Sequence, residues 1–251
     1  MATVNVTVAD GVAILELNRP EQNNSIDLEL ANALAEAVEA AAVDDAVRVL
    51  LLRGNGRMFC PGGDLAAMDA APERGAILKE LADAAHGAIL ALDAIEKPVV
   101  AAVHGSAAGA GVSLALASDI VLVGSTARFA AAYGAVGLTP DCGLSWLLPR
   151  AVGTQRALEF TLLLRILKAD EAVAWGIATT VVDDDSLQNE AEAVARRIAA
   201  GAAGALGKTR RLIRAGHETF LEEQLDVESA SIAAASATDE AGALIKTFLN
   251  R

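Results

Sequence analysis

Residues 99–114 read VVAAVHGSAAGAGVSL and place a fully apolar strand directly before a glycine-rich turn. An earlier stretch, FCPGGDL at residues 59–65, follows a second apolar strand, Arg48–Arg53, in the same way. Both patterns predict a strand that turns into a helix, where backbone N–H groups are left without a partner. Two such N–H groups aimed at one carbonyl oxygen form an oxyanion hole, which stabilises negative charge that develops on that oxygen.

Apolar strands and helices alternate along most of the chain. Its first residues predict a β-hairpin, in which Val4–Val8 and Val12–Leu17 are joined through Asp10-Gly11. Further predicted elements are a helix that is capped by Ser25 or Asp27 and runs to about Ala42, a helix over Arg74–Ile95, and strands at Val99–Val103, Ile120–Val123 and Thr179–Val182. This order indicates an α/β fold, in which ligands bind at the carboxyl ends of the strands.

The last quarter of the chain has a different pattern. Residues 187–251 are rich in helix-forming residues and carry no strand pattern. We therefore expect a main domain over residues 1–186 and a helical C-terminal subdomain over residues 187–251.

The bulk composition narrows the class of protein. A net charge of −13 argues against a nucleic-acid partner, because phosphate neutralisation needs clustered Lys and Arg. The longest apolar stretch, Gly105–Ala117, is too short to span a bilayer. Cys60 and Cys142 lack CxxC spacing and no secretory signal pattern is seen, so we expect reduced, buried thiols in a cytoplasmic protein.

Charged and metal-binding residue types give weaker signals. His86, His104 and His217 are scattered along the chain, so the sequence predicts no metal site. A cationic patch at Lys208, Arg210, Arg211 and Arg214 is predicted to be a solvated helix face, with the binding of an anionic ligand's phosphates as the alternative.

The two glycine motifs belong to a longer series of motifs. The others are Asn18-Arg19-Pro20 with Asn24-Ser25, Lys97-Pro98-Val99, Ser118-Asp119-Ile120, the loop from Phe129 to Pro149, and Trp175-Gly176-Ile177. In this order and spacing, the chain resembles the enoyl-CoA hydratase/isomerase superfamily, the crotonases, over nearly its whole length. The resemblance implies an α/β crotonase-like ββα superhelix, a helical C-terminal region used in trimers and often hexamers, and acyl-CoA thioester substrates without a metal or redox cofactor.

Several site residues are implied by this resemblance. The N–H groups of Gly63 and Ala110 match the family's oxyanion hole. Positions of the family's ligand-binding loops are held by Arg19, Asn24, Gly62 and Leu65. Asp64 lies beside them, and we expect it to cap the following helix rather than to act in catalysis, because Asp is a common N-cap residue.

The chain departs from the water-adding members of the family at two positions. Ser113 and Tyr133 stand where those enzymes carry two glutamates, and neither a hydroxyl nor a phenol replaces a carboxyl well at neutral pH. Asp141 stands where several isomerase branches carry their acid, and residues 137–150 are particularly similar to the isomerases of aerobic phenylacetate breakdown. A double-bond shift needs only one base, so we expect an isomerase that uses Asp141.

Three alternatives remain at this stage. The chain could hydrate enoyl-CoA through Asp141 without the glutamate pair, or bind acyl-CoA without catalysis. His86 falls near the histidine that a dehalogenating branch of the family uses beside the equivalent aspartate, which would make Asp141 a nucleophile. A lone histidine on a helix is more often structural, so His86 is expected to be a pocket residue only.

Overall fold

A six-stranded sheet forms the centre of the fold in the described residues, and its neighbouring strands are, in order, residues 4–9, 12–17, 49–54, 99–103, 120–124 and 180–182. The computed structural model describes residues 2–70, 72–217 and 219–250. The strands are β1 Val4–Ala9, β2 Val12–Leu17, β3 Val49–Gly54, β4 Val99–Val103, β5 Ser106–Ala108, β6 Ile120–Gly124, β7 Arg128–Ala130, β8 Ile166–Lys168 and β9 Thr180–Val182.

Strand direction places all the strand-to-helix turns at one edge of the sheet. β1 and β2 form the predicted antiparallel hairpin, and both Asp10 and Gly11 have positive φ, at 52° and 77°, as a two-residue primed turn requires. From β2 onward the neighbouring strands are parallel. The loops that follow β3 and β4, which carry the two glycine motifs, therefore start from the same edge.

Helices cover both faces of this sheet. They are α1 Leu28–Val43, α2 Leu65–Asp69, α3 Arg74–Ala94, α4 Ala110–Ala117, α5 Leu144–Val152, α6 Thr154–Leu162, α7 Ala169–Trp175, α8 Leu187–Ala199, α9 Ala203–Ala215, α10 Leu221–Ser236 and α11 Asp239–Leu249. α1, α3 and α4 share the larger hydrophobic core. No helix in the described ranges is long and apolar enough to cross a bilayer.

The other face of the sheet is covered by α8. Leu187, Ala191, Ala195 and Ala199 are buried there, against Val12, Val49, Leu51, Val100 and other side chains of the strands. α8 thus packs as part of the main body, although it lies beyond the predicted boundary at residue 187. The α/β class is confirmed, and the division into two domains stays a prediction.

A small second sheet, in the order β5-β7-β8, was not predicted from the sequence. Its strands have only three residues each, too few to show an alternating pattern. β5 lies between Gly105 and Gly109 of the second glycine motif. An isolated β-bridge pairs its residue Ala107 with Cys60 of the first motif. This sheet therefore fixes the two glycine loops against each other.

The predicted solvated face on α9 is wrong for two of its arginines. The Arg210 side chain is only 4% exposed and its Nε lies 2.7 Å from Asp119 Oδ2. Arg214 pairs with Asp93 at 3.1 Å and with Asp119 at 3.0 Å. Arg210 also donates to the carbonyl oxygens of Leu92, Asp93 and Ile95. These groups dock α9 on the body instead of facing solvent.

Candidate active site

A cavity of about 400 Å³ lies where the two glycine loops meet. Its wall on the α3 side is apolar, with Leu78, Leu81, Ala82 and Ala85. Lys79 of α3 also lines the cavity, as does Ile26, which lies just before α1. The remaining lining comes from the glycine loops, from α2 and from the segment that follows β7: Pro61, Gly62, Gly63, Leu65, Met68, Gly109, Ala110, Ala132, Tyr133, Ala135, Val136, Leu138, Thr139, Asp141 and Cys142.

Main-chain hydrogen bonds hold the two glycine loops together. Cys60 N donates to Ser106 O at 3.1 Å, and Ala108 N donates to Cys60 O at 2.9 Å. Gly62 has a φ of +106°, and a Cβ there would lie 3.1 Å from Ala108 O. Glycine is required at this position both by the backbone conformation and by the close approach of the second loop.

The amides of Gly63 and Ala110 have the features of oxyanion donors. Neither N–H donates a hydrogen bond to an acceptor of the described residues, and both residues line the cavity. The bridge between Ile26 and Gly63 uses Gly62 O and Asp64 N, which leaves the Gly63 N–H outside it. Ala110 is the first residue of α4, where the helix dipole favours negative charge.

Asp141 is the carboxylate of this cavity, and Tyr133 holds it. The Tyr133 hydroxyl donates to Asp141 Oδ1 at 2.6 Å. Burial, and then the neighbouring Asp141 charge, raise the pKa of Tyr133 far above its usual value, so its phenol stays protonated. The hydrogen bond therefore leaves Asp141 as the group that can exchange a proton with a ligand.

A hydrogen bond also joins Cys142, which follows Asp141 in the sequence, to His86 on α3. Cys142 N donates to His86 Nε2 at 3.2 Å, and Cys142 has a left-handed φ of +49°. Burial and the Asp141 charge raise the pKa of the Cys142 thiol, and burial raises the pKa of Cys60 to about 12. Both cysteines are buried and free, as predicted, and both are poor nucleophiles in this state.

These side chains form the one group with metal-ligand types that we find in the described residues. Candidate ligand atoms of His86, Asp141 and Cys142 all lie within 4.8 Å of one another. However, His86 Nε2 and Asp141 Oδ1 already accept hydrogen bonds, and the raised thiol pKa opposes the thiolate that a metal needs. The arrangement suits a held carboxylate better than a metal ion.

Three residues predicted near the ligand contact the first glycine loop and its neighbours in this structure. Arg19 pairs with Asp27 at 2.9 Å and with Asp64 at 3.2 Å. Asp64 accepts from Ala67 N at 3.2 Å, which confirms its predicted role as the cap of α2. Asn24 is fully buried and donates to Asn55 O and Met58 O, at 2.8 Å and 2.7 Å. The three side chains shape the loop that presents Gly63.

The predicted site residues separate into two groups. Gly62, Gly63, Leu65, Ala110, Tyr133 and Asp141 line the cavity. Arg19, Asn24, Asp64, His86 and Ser113 lie outside its lining, and Ser113 is fully buried with no hydrogen bond from its hydroxyl to the described residues. None of these five belongs to the cavity lining, and their predicted contact with substrate stays a prediction.

The apolar wall was missed by the sequence analysis. Leu78, Leu81, Ala82 and Ala85 are spaced three and four residues apart on α3, which puts them on one face. That spacing was available in the sequence, but it does not tell whether the face meets the core or a cavity.

Comparison with known proteins agrees with this geometry. A family model described as enoyl-CoA hydratase/isomerase matches residues 7–251. The chain is similar to 1,2-epoxyphenylacetyl-CoA isomerase of Escherichia coli (strain K12), with 40% identity over 88% of this chain and 85% of that protein. It is also 33% identical to 4-chlorobenzoyl coenzyme A dehalogenase-2 of an Arthrobacter species, over 92% of this chain and 84% of that one.

A solved structure gives the same result. The crystal structure of an enoyl-CoA hydratase from Polaromonas sp. JS666 superimposes with a TM-score of 0.92 at 32% identity, covering 98% of this chain and 96% of that one. The crotonase-like fold and the predicted resemblance, including that to a phenylacetate-pathway isomerase, are confirmed. The family model and the identity to relatives over most of their length thus agree with the two glycine loops: the chain belongs to the enoyl-CoA hydratase/isomerase family.

Proposed function

We propose that this protein is an acyl-CoA isomerase that shifts a carbon–carbon double bond by proton transfer through Asp141. The observation that carries the proposal is one held carboxylate in a cavity that also contains the amides of Gly63 and Ala110, two donors without an acceptor among the described residues. The positions of the two hydratase glutamates hold a buried Ser113 and a protonated Tyr133, so no second carboxyl lines this cavity in the described residues.

The reaction follows from the charges that these groups can stabilise. A thioester carbonyl oxygen that accepts from both amides makes the hydrogens on C2 more acidic. Asp141 removes a C2 proton from a 3-enoyl-CoA, and the electrons move into a dienolate whose charge rests on that oxygen. The same carboxyl then returns the proton to C4, which gives the 2-enoyl-CoA. No electrons are gained or lost, so the proposed reaction needs no metal or redox cofactor.

The lining of the cavity supports an apolar acyl group. Leu78, Leu81 and Met68 give it branched or flexible apolar walls, and its volume of about 400 Å³ is large enough for a medium-length or cyclic acyl chain. Lys79 is the one cation of the lining in the described part of the chain, and it is paired with Asp83 at 2.5 Å. In the described residues, the lining thus offers a charged acyl chain no cation that lacks an ion-pair partner.

Incubation with a series of 3-enoyl-CoA esters tests the proposal directly. We expect formation of the conjugated 2-enoyl thioester, followed by its ultraviolet absorbance, with linear and cyclic acyl groups compared. Mass analysis of the product separates isomerisation, which leaves the mass unchanged, from hydration, which adds one water. A failure of every ester to react, or a hydrated product alone, would remove the isomerase assignment.

A second candidate is hydrolytic dehalogenation of an aryl-CoA: Asp141 forms an ester with the ring carbon as chloride leaves, and water then cleaves this ester to release the hydroxylated aryl-CoA. It is favoured by His86, which lies close to Asp141 as a base for water would, and by the similarity to a dehalogenase. His86 Nε2 is, however, already occupied by the Cys142 amide. Intact mass spectrometry after mixing with 4-chlorobenzoyl-CoA tests it: an adduct on Asp141 supports the ester, and an unchanged mass rejects it.

We further propose that the protein assembles as a homotrimer or hexamer through its last two helices. In the described residues α10 and α11 bury no side chain, while Leu225, Ile232 and Phe248 are 54%, 72% and 74% exposed. Such faces indicate an interaction surface. Light scattering over a range of protein concentrations gives the mass, and Ile232→Asp is expected to lower it.

A further inference from the structure

The backbone and the ring of Tyr133 are both held in place by neighbouring residues. Its amide donates to Ala131 O at 2.7 Å and its carbonyl accepts from Leu138 N at 3.0 Å. The ring lies against the second glycine loop, since a Cβ built on Gly109 would be 3.5 Å from Tyr133 Cζ. Its hydroxyl is therefore held between the residue that precedes Ala110 and the catalytic carboxylate.

This hydrogen bond distinguishes the two oxygens of Asp141. Oδ1 accepts from the Tyr133 hydroxyl at 2.6 Å, a short, charge-assisted distance. The other oxygen accepts no N–H or O–H hydrogen bond from the described residues. A carboxylate that is tied through one oxygen does not rotate freely, so the second oxygen keeps a constant direction.

The groups around Asp141 offer no substitute for this bond. Cys142 brings a thiol of raised pKa, a weak donor. His86 is turned to the Cys142 amide, and Lys79 on the cavity wall is paired with Asp83. Among the titratable groups that face the carboxylate in the described residues, only Tyr133 donates a strong hydrogen bond to it.

We propose that Tyr133 is a positioning residue that confines proton transfer to one oxygen of Asp141. This inference rests on the proposed isomerase function. With one oxygen tied to a neutral phenol, the other both takes the C2 proton and returns it to C4. The abstracted hydrogen then stays on a carboxyl that faces the apolar cavity, and it is delivered before it exchanges with water.

The test uses the full-length protein and a 3-enoyl-CoA in deuterium oxide. We expect most of the hydrogen that arrives at C4 in the wild-type product to come from the substrate, as measured by mass spectrometry. Complete deuterium incorporation by the wild-type protein would overturn the proposal without any variant.

Tyr133→Phe removes only the hydroxyl and keeps the ring on Gly109. We expect kcat to fall by about 10- to 100-fold, the effect of one hydrogen bond to a charged group, while KM changes less than about two-fold. Deuterium at C4 should rise because the carboxyl is free to turn. Thr161→Val, which removes a hydroxyl outside the cavity lining, is the matched control and should leave the deuterium fraction unchanged.

3-Fluorotyrosine at position 133, the one tyrosine of the sequence, keeps the hydroxyl donor in the same place and is expected to keep the retention. If Tyr133→Phe does not fold, the deuterium content of the wild-type product remains the test. A Tyr133→Phe protein with wild-type kcat and wild-type deuterium content would overturn the positioning role. Asp141→Asn is measured beside it, so that the two proposals fail separately. If Asp141→Asn is active, the isomerase mechanism through Asp141 fails and the role of Tyr133 fails with it.

Discussion

Two polar clusters of this protein each contain an aspartate with hydrogen-bond donors, but they differ in how many of their polar groups are paired within the protein. In the cavity, Asp141 is bound by Tyr133 through one oxygen, and two amides beside it have no partner in the described residues. Between α9 and the body, Asp119 accepts from Arg210 and Arg214, and Arg210 is shared further among three carbonyl oxygens. The first cluster has hydrogen-bond donors that can bind a ligand, whereas the donors of the second are already used by acceptors of the protein.

This difference separates function from stability. Groups that are left unpaired lower stability a little but can bind a developing charge. Groups that are fully paired fix one element on another and have nothing left for a ligand. Substitutions in the first cluster should therefore change activity, and substitutions in the second should change folding.

The largest effect is expected for Asp141→Asn. Loss of the proton carrier should lower kcat by about 10³- to 10⁴-fold, while the thermal midpoint stays close to that of the wild type. The assay is isomerisation of a 3-enoyl-CoA, with differential scanning fluorimetry on the same sample. Asp69→Asn, an exposed carboxyl outside the cavity lining, is the control. Equal loss of activity in both variants would contradict the role of Asp141.

Arg210→Met tests the second cluster. It leaves Asp119 and three carbonyl oxygens without their shared donor, so unfolding by urea should require about 3–5 kcal/mol less free energy. Lys208→Met is the control on the same helix, since Lys208 forms no ion pair with the described residues. If Arg210→Met is as stable as the control, the cluster does not dock α9.

Ala110→Pro removes one amide N–H from the first cluster. Proline is tolerated at the first position of a helix, so α4 should still form. We expect kcat to fall by about 10²- to 10³-fold, as for other oxyanion donors. Ala110→Gly keeps the N–H and should lose far less activity. Similar kinetics for the two variants would show that this amide does not bind the thioester oxygen.

The smallest effect is expected at His104, whose ring has one paired nitrogen and one nitrogen without a partner in the described residues. Its Nε2 lies 3.0 Å from Gly56 O, while Nδ1 is buried without a partner in the described residues. Burial lowers the pKa of His104 in the folded state, so the unfolded chain binds the proton more readily. The stabilisation is present above the unfolded pKa of about 6.5 and is lost as pH falls through the folded value.

Urea unfolding between pH 7 and pH 5 measures this linkage. The free energy of unfolding of the wild-type protein should decrease as the pH is lowered. For His104→Gln, whose side chain does not titrate in this range, the decrease should be smaller by up to about 1 kcal/mol. Parallel curves for the two proteins would assign the acid sensitivity to other groups.

Local pattern predicted much of this fold. The helix capped by Asp27 begins at Leu28 and ends at Val43, and Asp27 accepts from Leu30 N at 2.8 Å. The strand predicted at Arg48–Arg53 is observed at Val49–Gly54. These elements are long enough for their apolar spacing to identify them, and the glycine loops follow from residues that are adjacent in sequence.

Distant pairings could not be predicted in the same way. Arg210 and Asp119 are 91 residues apart, and a cationic run on a helix does not show whether it meets solvent or a buried carboxylate. Tyr133 and Asp141 lie only eight residues apart, yet their hydrogen bond depends on the turn between them. The sequence thus identified Asp141, Tyr133 and the two amides as candidates, but not the hydrogen bonds that support them.

The exposed surfaces of α10 and α11 have a consequence for how the sequence of this segment evolves. Because these helices bury no side chain among the described residues, folding of the body imposes little selection on their sequence. Divergence in this segment is then limited by whatever associates with it, so relatives that share one set of catalytic residues can evolve different assemblies.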